Sequence, residues 1–224
     1  MLKGMQFPEW ESTYLNILSD MGFDRDSDEN SARMLKAVTL NSDLVLEDAV
    51  DDLVKDTVTV VGNGKNLEAD IDRMGFKGTI ISSGSAVERI MRLGITPDII
   101  VTDMDGEIMP QITANSNGAV AVLHAHGDNV EMIQRYAPEF KGRILLTTQS
   151  APDNILSNYG GFTDGDRAAC LAKHFGAKHI RLMGFDFEDP FPKEGTDPET
   201  KRKKLSWAKK IISSLEDNNT KLDF

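Results

Sequence analysis

The chain has 224 residues, with 36 Asp and Glu against 25 Lys and Arg for a formal charge of −11, and one cysteine, Cys170. That length buries a core without help from disulfides, and the acidic balance excludes a surface that tracks nucleic-acid phosphates while leaving room for a nucleotide pocket, whose charge is local. No run reaches ~18 apolar residues and no basic-then-apolar leader opens the chain, so the expectation is no nucleic acid, no membrane and a cytoplasmic setting.

Residues 1–56 read as a helical N-terminal segment. Trp10, Tyr14, Ile17, Leu18 and Met21 recur at helical spacing, Gly22 is a natural stop, and Met34, Leu35 and Val38 resume the stripe after an acidic run. A third helix is expected from about Ser42, with Leu46, Val50, Leu53 and Val54 on one face. Such stripes are packing surface, and they equally suit a subdomain, a cap over the crevice or a homodimer contact.

Residues 57–224 read as an α/β catalytic domain closed by a C-terminal helix. Strands are expected at residues 58–61, 79–82, 99–102, 119–123, 144–148 and 179–183, with helical patterns between them. That alternation predicts a Rossmann-like, mainly parallel six-stranded sheet with helices on both faces. Ligands in such sheets bind at the carboxyl ends of the strands, so the residues that close each strand are the candidates.

After the first strand, Gly62-Asn63-Gly64 opens a helix; its amides suit a phosphate, or its glycines suit a tight turn. It lacks the third glycine of a dinucleotide fingerprint and the Ser or Thr of a Walker A loop. Ser83, in Ser82-Ser83-Gly84-Ser85, closes the next strand on the same rim. The third strand, Ile99-Ile100-Val101-Thr102, runs into Asp103-Met104-Asp105-Gly106. Two carboxylates one residue apart at a strand end suit a hard divalent cation holding phosphate oxygens; the alternative is one helix cap and one acid facing water.

The fourth strand closes in His124-Ala125-His126-Gly127-Asp128-Asn129. If it continues that far, both histidines point to one face, as zinc ligands or polar ligand contacts. Further on, Thr163 with Asp166 three later makes a capping-box start. That explains one acid and leaves Asp164 and Arg167 beside it, the latter with the planar fork that phosphates prefer. Asp186 closes the last strand, and a loop from 189 to 197 leads into a final helix with Asp197 as N-cap and Pro198 first. Its Leu205, Ala208, Ile211, Ile212 and Leu215 face inward, and Lys201 and Lys204 extend that stripe, toward phosphate charge or a solvated face.

Five stretches in order, Val60-Val61-Gly62-Asn63-Gly64, Val101-Thr102-Asp103-Met104-Asp105-Gly106, His124 to Asn129, Gly161 to Ala168 and Gly184-Phe185-Asp186-Phe187, resemble the archaeal 6-hydroxymethyl-7,8-dihydropterin pyrophosphokinases. The likeness covers nearly the whole chain. A looser one is to the nucleotide-binding part of thiamin pyrophosphokinases, matched by Pro97-Asp98 and the Asp103-Met104-Asp105 pair, although Thr102 and Gly106 replace that family's glycine and serine.

The resemblance implies a Mg²⁺-dependent pyrophosphokinase whose partners are ATP and a reduced pterin alcohol. On it, Asp103 and Asp105 are metal ligands, Asp164 or Asp166 attends a second ion, and Arg167, Lys204 and Lys201 hold phosphate oxygens. The turn from Gly62 to Gly64 receives part of ATP, with Ser83, Thr163 and Asp186 on the same rim, and His124, His126, Asp128 and Asn129 orient the ligands. Two rivals stay open. One is a D-x-D nucleotide-sugar glycosyltransferase, as in related bacterial flagellin-glycosylation proteins, and the other is a nucleotide-binding sensor without turnover.

Overall fold

A computed structural model describes residues 7–188 and 197–224, so the loop expected from 189 lies outside the described residues up to 196. Eight strands form one sheet: β1 Thr57–Val61, β2 Thr79–Ser83, β3 Ile99–Thr102, β4 Val120–Ala125, β5 Ile144–Thr148, β6 Leu156–Ser157, β7 His179–Met183 and β8 Lys221–Asp223. Every neighbouring pair is parallel, in the order β6-β5-β4-β3-β2-β1-β7-β8. The six expected strands are present, and β6 and β8 are added at the edges. These two span only two and three residues, too short to carry a period of their own.

Parallel strands need crossovers, and helices supply them. In chain order they are α1 Phe7–Met21, α2 Arg25–Val38, α3 Glu47–Asp51, α4 Leu67–Met74, α5 Val87–Arg92, α6 Ile108–Ser116, α7 Val130–Tyr136, α8 Asp164–His174 and α9 Pro198–Ser213. Covered on both faces, the strands bury their whole length, as in β3, β4 and β5, where every residue is buried. Tyr14 and Ile17 of α1, Leu171 of α8 and Ile211 of α9 pack with Val60, Ile81 and Val101 on one face. Leu35 of α2 and Ile133 of α7 pack with Leu123 and Leu146 on the other.

The N-terminal helices therefore straddle the sheet, and the junction between α1 and α2 passes over its carboxyl edge. Gly22 ends α1 in the left-handed region (φ 69), and Asp24 caps α2 by accepting from the Ser27 amide at 2.9 Å. The third helix begins five residues later than expected. Residues 43–45 instead lie along the start of β5, where Ile144 N donates to Asp43 O and Val45 N donates to Ile144 O, each at 2.9 Å. An extended pairing satisfies those amides without a helix.

The chain steps outward from β1 to β6 and then returns to lay β7 against the other side of β1. This reversal is the topological switch, and a crevice opens there at the strand ends.

A candidate active site at the carboxyl edge of the sheet

The strand ends, the junction before α2, the start of α8 and the inner face of α9 enclose a cleft of about 1030 Å³. Fourteen of the residues singled out in the sequence line it: Gly62, Asn63, Gly64, Ser83, Asp103, Asp105, His126, Asp128, Thr163, Asp164, Arg167, Asp186, Lys201 and Lys204. His124, Asn129 and Asp166 do not.

The two carboxylates after β3 owe their placement to the residue between them. Met104 has a φ of +64, which costs a non-glycine residue about 1–2 kcal/mol. Its side chain is fully buried with Leu35, Ile108 and Leu123, and this burial offsets the strain. The reversal sends Met104 into the core and leaves Asp103 and Asp105 in the cleft. Thr102 Oγ1 accepts from Met104 N at 2.8 Å and donates to Gln111 Oε1 at 2.7 Å, while Gln111 Nε2 donates to the Asp105 carbonyl at 2.9 Å. Gln111, fully buried on α6, is thus a brace for the turn that no sequence pattern singled out.

The two histidines take different places. Asp128 N stands 3.4 Å from His126 Nδ1, and His126 Nε2 stands 3.1 Å from Asp103 Oδ2, so the ring links the loop after β4 to the first carboxylate. His124 lies beneath the cleft, where burial first and then the charge of Arg167 hold its imidazole well below the usual range. Asn129 is a tie rather than a lining residue: its Nδ2 donates to the carbonyls of Asp103 (3.0 Å) and His124 (2.7 Å), and its Oδ1 accepts from His126 N at 3.0 Å. Among the described residues no three His, Cys, Asp or Glu side chains converge as a metal centre of their own, so the zinc alternative for this pair finds no ligand set there.

At the start of α8 the capping box forms as its sequence suggests. Asp166 accepts from the amides of Phe162 and Thr163, both at 2.7 Å, and from the Thr163 hydroxyl. Burial pushes its carboxyl up against those bonds. Asp166 therefore braces the loop and does not face a ligand. Its neighbours face the cleft: Arg167 Nη1 donates to Asp164 Oδ1 at 3.2 Å, and both side chains line it. The loop fits this close to the helix because residue 161 is glycine, with φ +95 and an added Cβ only 2.6 Å from Arg167 Cα.

Behind Arg167 stands a network that the sequence did not announce. Gln149 Oε1 accepts from Arg167 Nη2 at 3.3 Å, and its Nε2 donates to both oxygens of Asp28 at 3.0 Å. Asp28, 2% exposed, also accepts from Tyr14 Oη and from Gly127 N, each at 2.6 Å. One buried carboxylate so links the N-terminal helices, the loop after β4 and the guanidinium of α8. Asp28 sits in the acidic run from Asp24 to Glu29, which reads as solvated surface.

The glycine turn after β1 has a structural explanation. Gly62 N donates to Met183 O at 2.8 Å and Gly64 N to Gly184 O at 2.6 Å. These amides hold the switch point together, as the tight-turn alternative expects of them. A Cβ at Gly62 or Gly64 would stand 2.7 or 2.5 Å from the Gly184 carbonyl, so close approach of two backbones is what requires glycine. Arg89 of α5, another lining residue without a sequence signal, donates to Asn63 Oδ1 and Gly64 O at 2.8 Å.

The cleft has two unlike walls. Ser83, Ser85, Glu88, Arg89 and Arg92 make one polar wall, and Ser83 Oγ is buried with no hydrogen-bond partner among the described residues. Another part of the lining is aromatic and basic. Phe23 and Phe162 stand 6.5 Å apart with Lys204 Nζ 5.9 Å from each ring, and Phe185 and Phe187 stand 6.0 Å apart beside them. Lys201 completes that side, while Arg202 and Lys203 are exposed. No helix of the described residues is long and apolar enough to cross a membrane.

Residues 29–190 match the family model described as 6-hydroxymethylpterin diphosphokinase MptE-like. Curated relatives named 6-hydroxymethyl-7,8-dihydropterin pyrophosphokinase include one from Pyrococcus furiosus, 38% identical over 96% of each chain. Another, from Methanothermobacter thermautotrophicus, is 39% identical over 96% of this chain and 97% of its own, and one from Methanocaldococcus jannaschii is 35% identical over 95% and 97%. Among solved structures, the alpha-2,3-sialyltransferase Cst-I from Campylobacter jejuni has a TM-score of 0.46 at 12% identity over 82% of this chain and 84% of its own. On the near full-length match to the three archaeal relatives and the match of residues 29–190 to the family model, the chain belongs to the 6-hydroxymethylpterin diphosphokinase MptE-like family.

Proposed function

We propose that the chain transfers the terminal diphosphate of ATP to the hydroxymethyl oxygen of 6-hydroxymethyl-7,8-dihydropterin in a Mg²⁺-dependent reaction, releasing AMP. Family membership makes it a pyrophosphokinase, and the relatives carry that pterin in their names. The observation that carries the reading is the Asp103 and Asp105 pair facing the same cleft as Arg167, Lys201 and Lys204. Phosphoryl transfer is catalysed chiefly by positioning and charge neutralisation, and those residue types supply both.

The donor set fits the ion. Mg²⁺ is ordinarily held by one or two carboxylates, waters and substrate phosphates rather than by an all-protein cage, and Asp103 and Asp105 are two hard oxygen donors on one turn. When bound, the ion supplies charge neutralisation at the phosphate oxygens. Asp103 is oriented by His126, and Arg167, held from one side by Asp164, offers its planar fork to the phosphate chain. The aromatic wall of Phe23, Phe162, Phe185 and Phe187 suits a flat heterocycle such as the pterin, and the polar wall of Ser83, Ser85 and Arg92 suits the nucleoside.

The test is to incubate the purified chain with ATP, Mg²⁺ and the pterin alcohol and to measure AMP, with sugar nucleotides and ATP alone as parallel donors. AMP formation that needs both the pterin and Mg²⁺ is the expected result. Asp103→Asn should lower kcat by about 100-fold or more. Turnover of a sugar nucleotide, ATP binding without turnover, or near-normal kcat in Asp103→Asn would each overturn the proposal.

A further inference from the structure

Arg167 faces the cleft with one edge and the protein interior with the other. Asp164 and Gln149 engage its Nη1 and Nη2, but its buried Nε has no hydrogen-bond partner among the described residues. Nε2 of His124, also buried, has none either. Both side chains line one small pocket of about 10 Å³, together with Val101, Val122, Thr147, Thr148, Tyr159, Gly160 and Leu171.

The protonation of His124 follows from its neighbour. Thr147 Oγ1 donates its single proton to Leu123 O at 3.1 Å, so it accepts from His124 Nδ1 at 3.0 Å. The ring proton is therefore on Nδ1. With the imidazole kept neutral by burial and by the charge of Arg167, Nε2 presents a lone pair. Arg167 Nε–H can only donate. A stranded donor and a stranded acceptor thus belong to two side chains that line one small pocket, and each buried orphan costs about 1–3 kcal/mol if left unmet. A void of this size holds about one water.

We propose that a single buried water bridges Arg167 Nε–H and His124 Nε2, making His124 a positioning residue for the guanidinium that grips the phosphate chain. The water accepts from Nε–H and donates to Nε2. Asp164, Gln149 and the water then hold three of the five guanidinium N–H groups, and the other two remain for the cleft. Only the kinetic consequence rests on the pyrophosphokinase reading; the water and the tautomer rest on the local geometry.

Two measurements on the full chain test the site directly. A crystal structure at atomic resolution is expected to show one ordered water within hydrogen-bond reach of both atoms, and ¹⁵N spectra of the imidazoles are expected to show His124 as the neutral Nδ1–H tautomer. Two variants test its role. His124→Leu removes the acceptor and should lower kcat/KM for ATP about tenfold or more, with KM for the pterin within about twofold of the parent. His124→Gln returns a carbonyl oxygen to the place of Nε2 and should stay within about threefold of the parent enzyme.

An Nε2–H tautomer, a site without the water, or equal loss in the Leu and Gln variants would overturn the proposal. If the Leu variant does not fold, density and spectrum of the parent chain decide it. A parent chain that makes no AMP would instead refute the pyrophosphokinase reading, and the same density and spectrum would still judge the water site.

Discussion

Replacing Asp28 by asparagine perturbs the network behind Arg167 at its centre. The carboxylate accepts from Tyr14 Oη, Gly127 N and Gln149 Nε2, and it is 2% exposed. Asparagine keeps one oxygen and turns an N–H₂ group toward donors, so at least one of them is stranded. Charge-assisted bonds of about 1.5–3 kcal/mol become neutral ones of about 0.5–1.5, and a stranded donor adds about 1–3. Relief of the buried charge works the other way by several kcal/mol. A net loss of about 2 kcal/mol is expected, which in a chain of this size lowers Tm by about 4–8 °C. Urea titration measures it as a shift of midpoint at constant slope. In a cycle with Tyr14→Phe the two losses should be less than additive, because both remove the same bond. A variant within about 0.5 kcal/mol of the parent would refute the reasoning, since surface substitutions already vary by that much.

Gly184→Ala places a methyl group against the Gly62 carbonyl at a residue whose φ is +70. Left-handed strain and overpacking together predict a loss of about 2–5 kcal/mol by urea titration, against about 1–2 kcal/mol for Gly94→Ala, which has φ +77 but open space around it. Equal losses would remove the close backbone approach as the reason for glycine.

Burial holds the imidazoles of His124 and His174 below their ordinary range, so the unfolded chain binds protons near pH 6.5 that the folded chain refuses. Stability is then full above about pH 7.5 and falls as pH drops below about 6.5. Urea midpoints at the two ends of that window measure the fall. His174→Phe should shrink it while keeping the ring contacts with Tyr159 and Phe175, and an unchanged dependence would count against the burial argument.

Local chemistry determined much of this protein in advance. The strands of four to six residues announce themselves by apolar runs, the capping box at Thr163 and the N-cap at Asp197 mark where α8 and α9 begin, and the acids after β3 stand where a parallel sheet exposes strand ends. Each of these signals is complete within a few residues of chain. Tertiary structure alone decided that Asp28 is a buried hub, that His124 and His126 differ in burial and in hydrogen-bond partners, and that Gly62 and Gly64 serve a backbone crossing. The physical reason is reach: Asp28 meets Gln149 across 121 residues of sequence and Gly64 meets Gly184 only once β7 returns beside β1, so no local period or spacing records either contact.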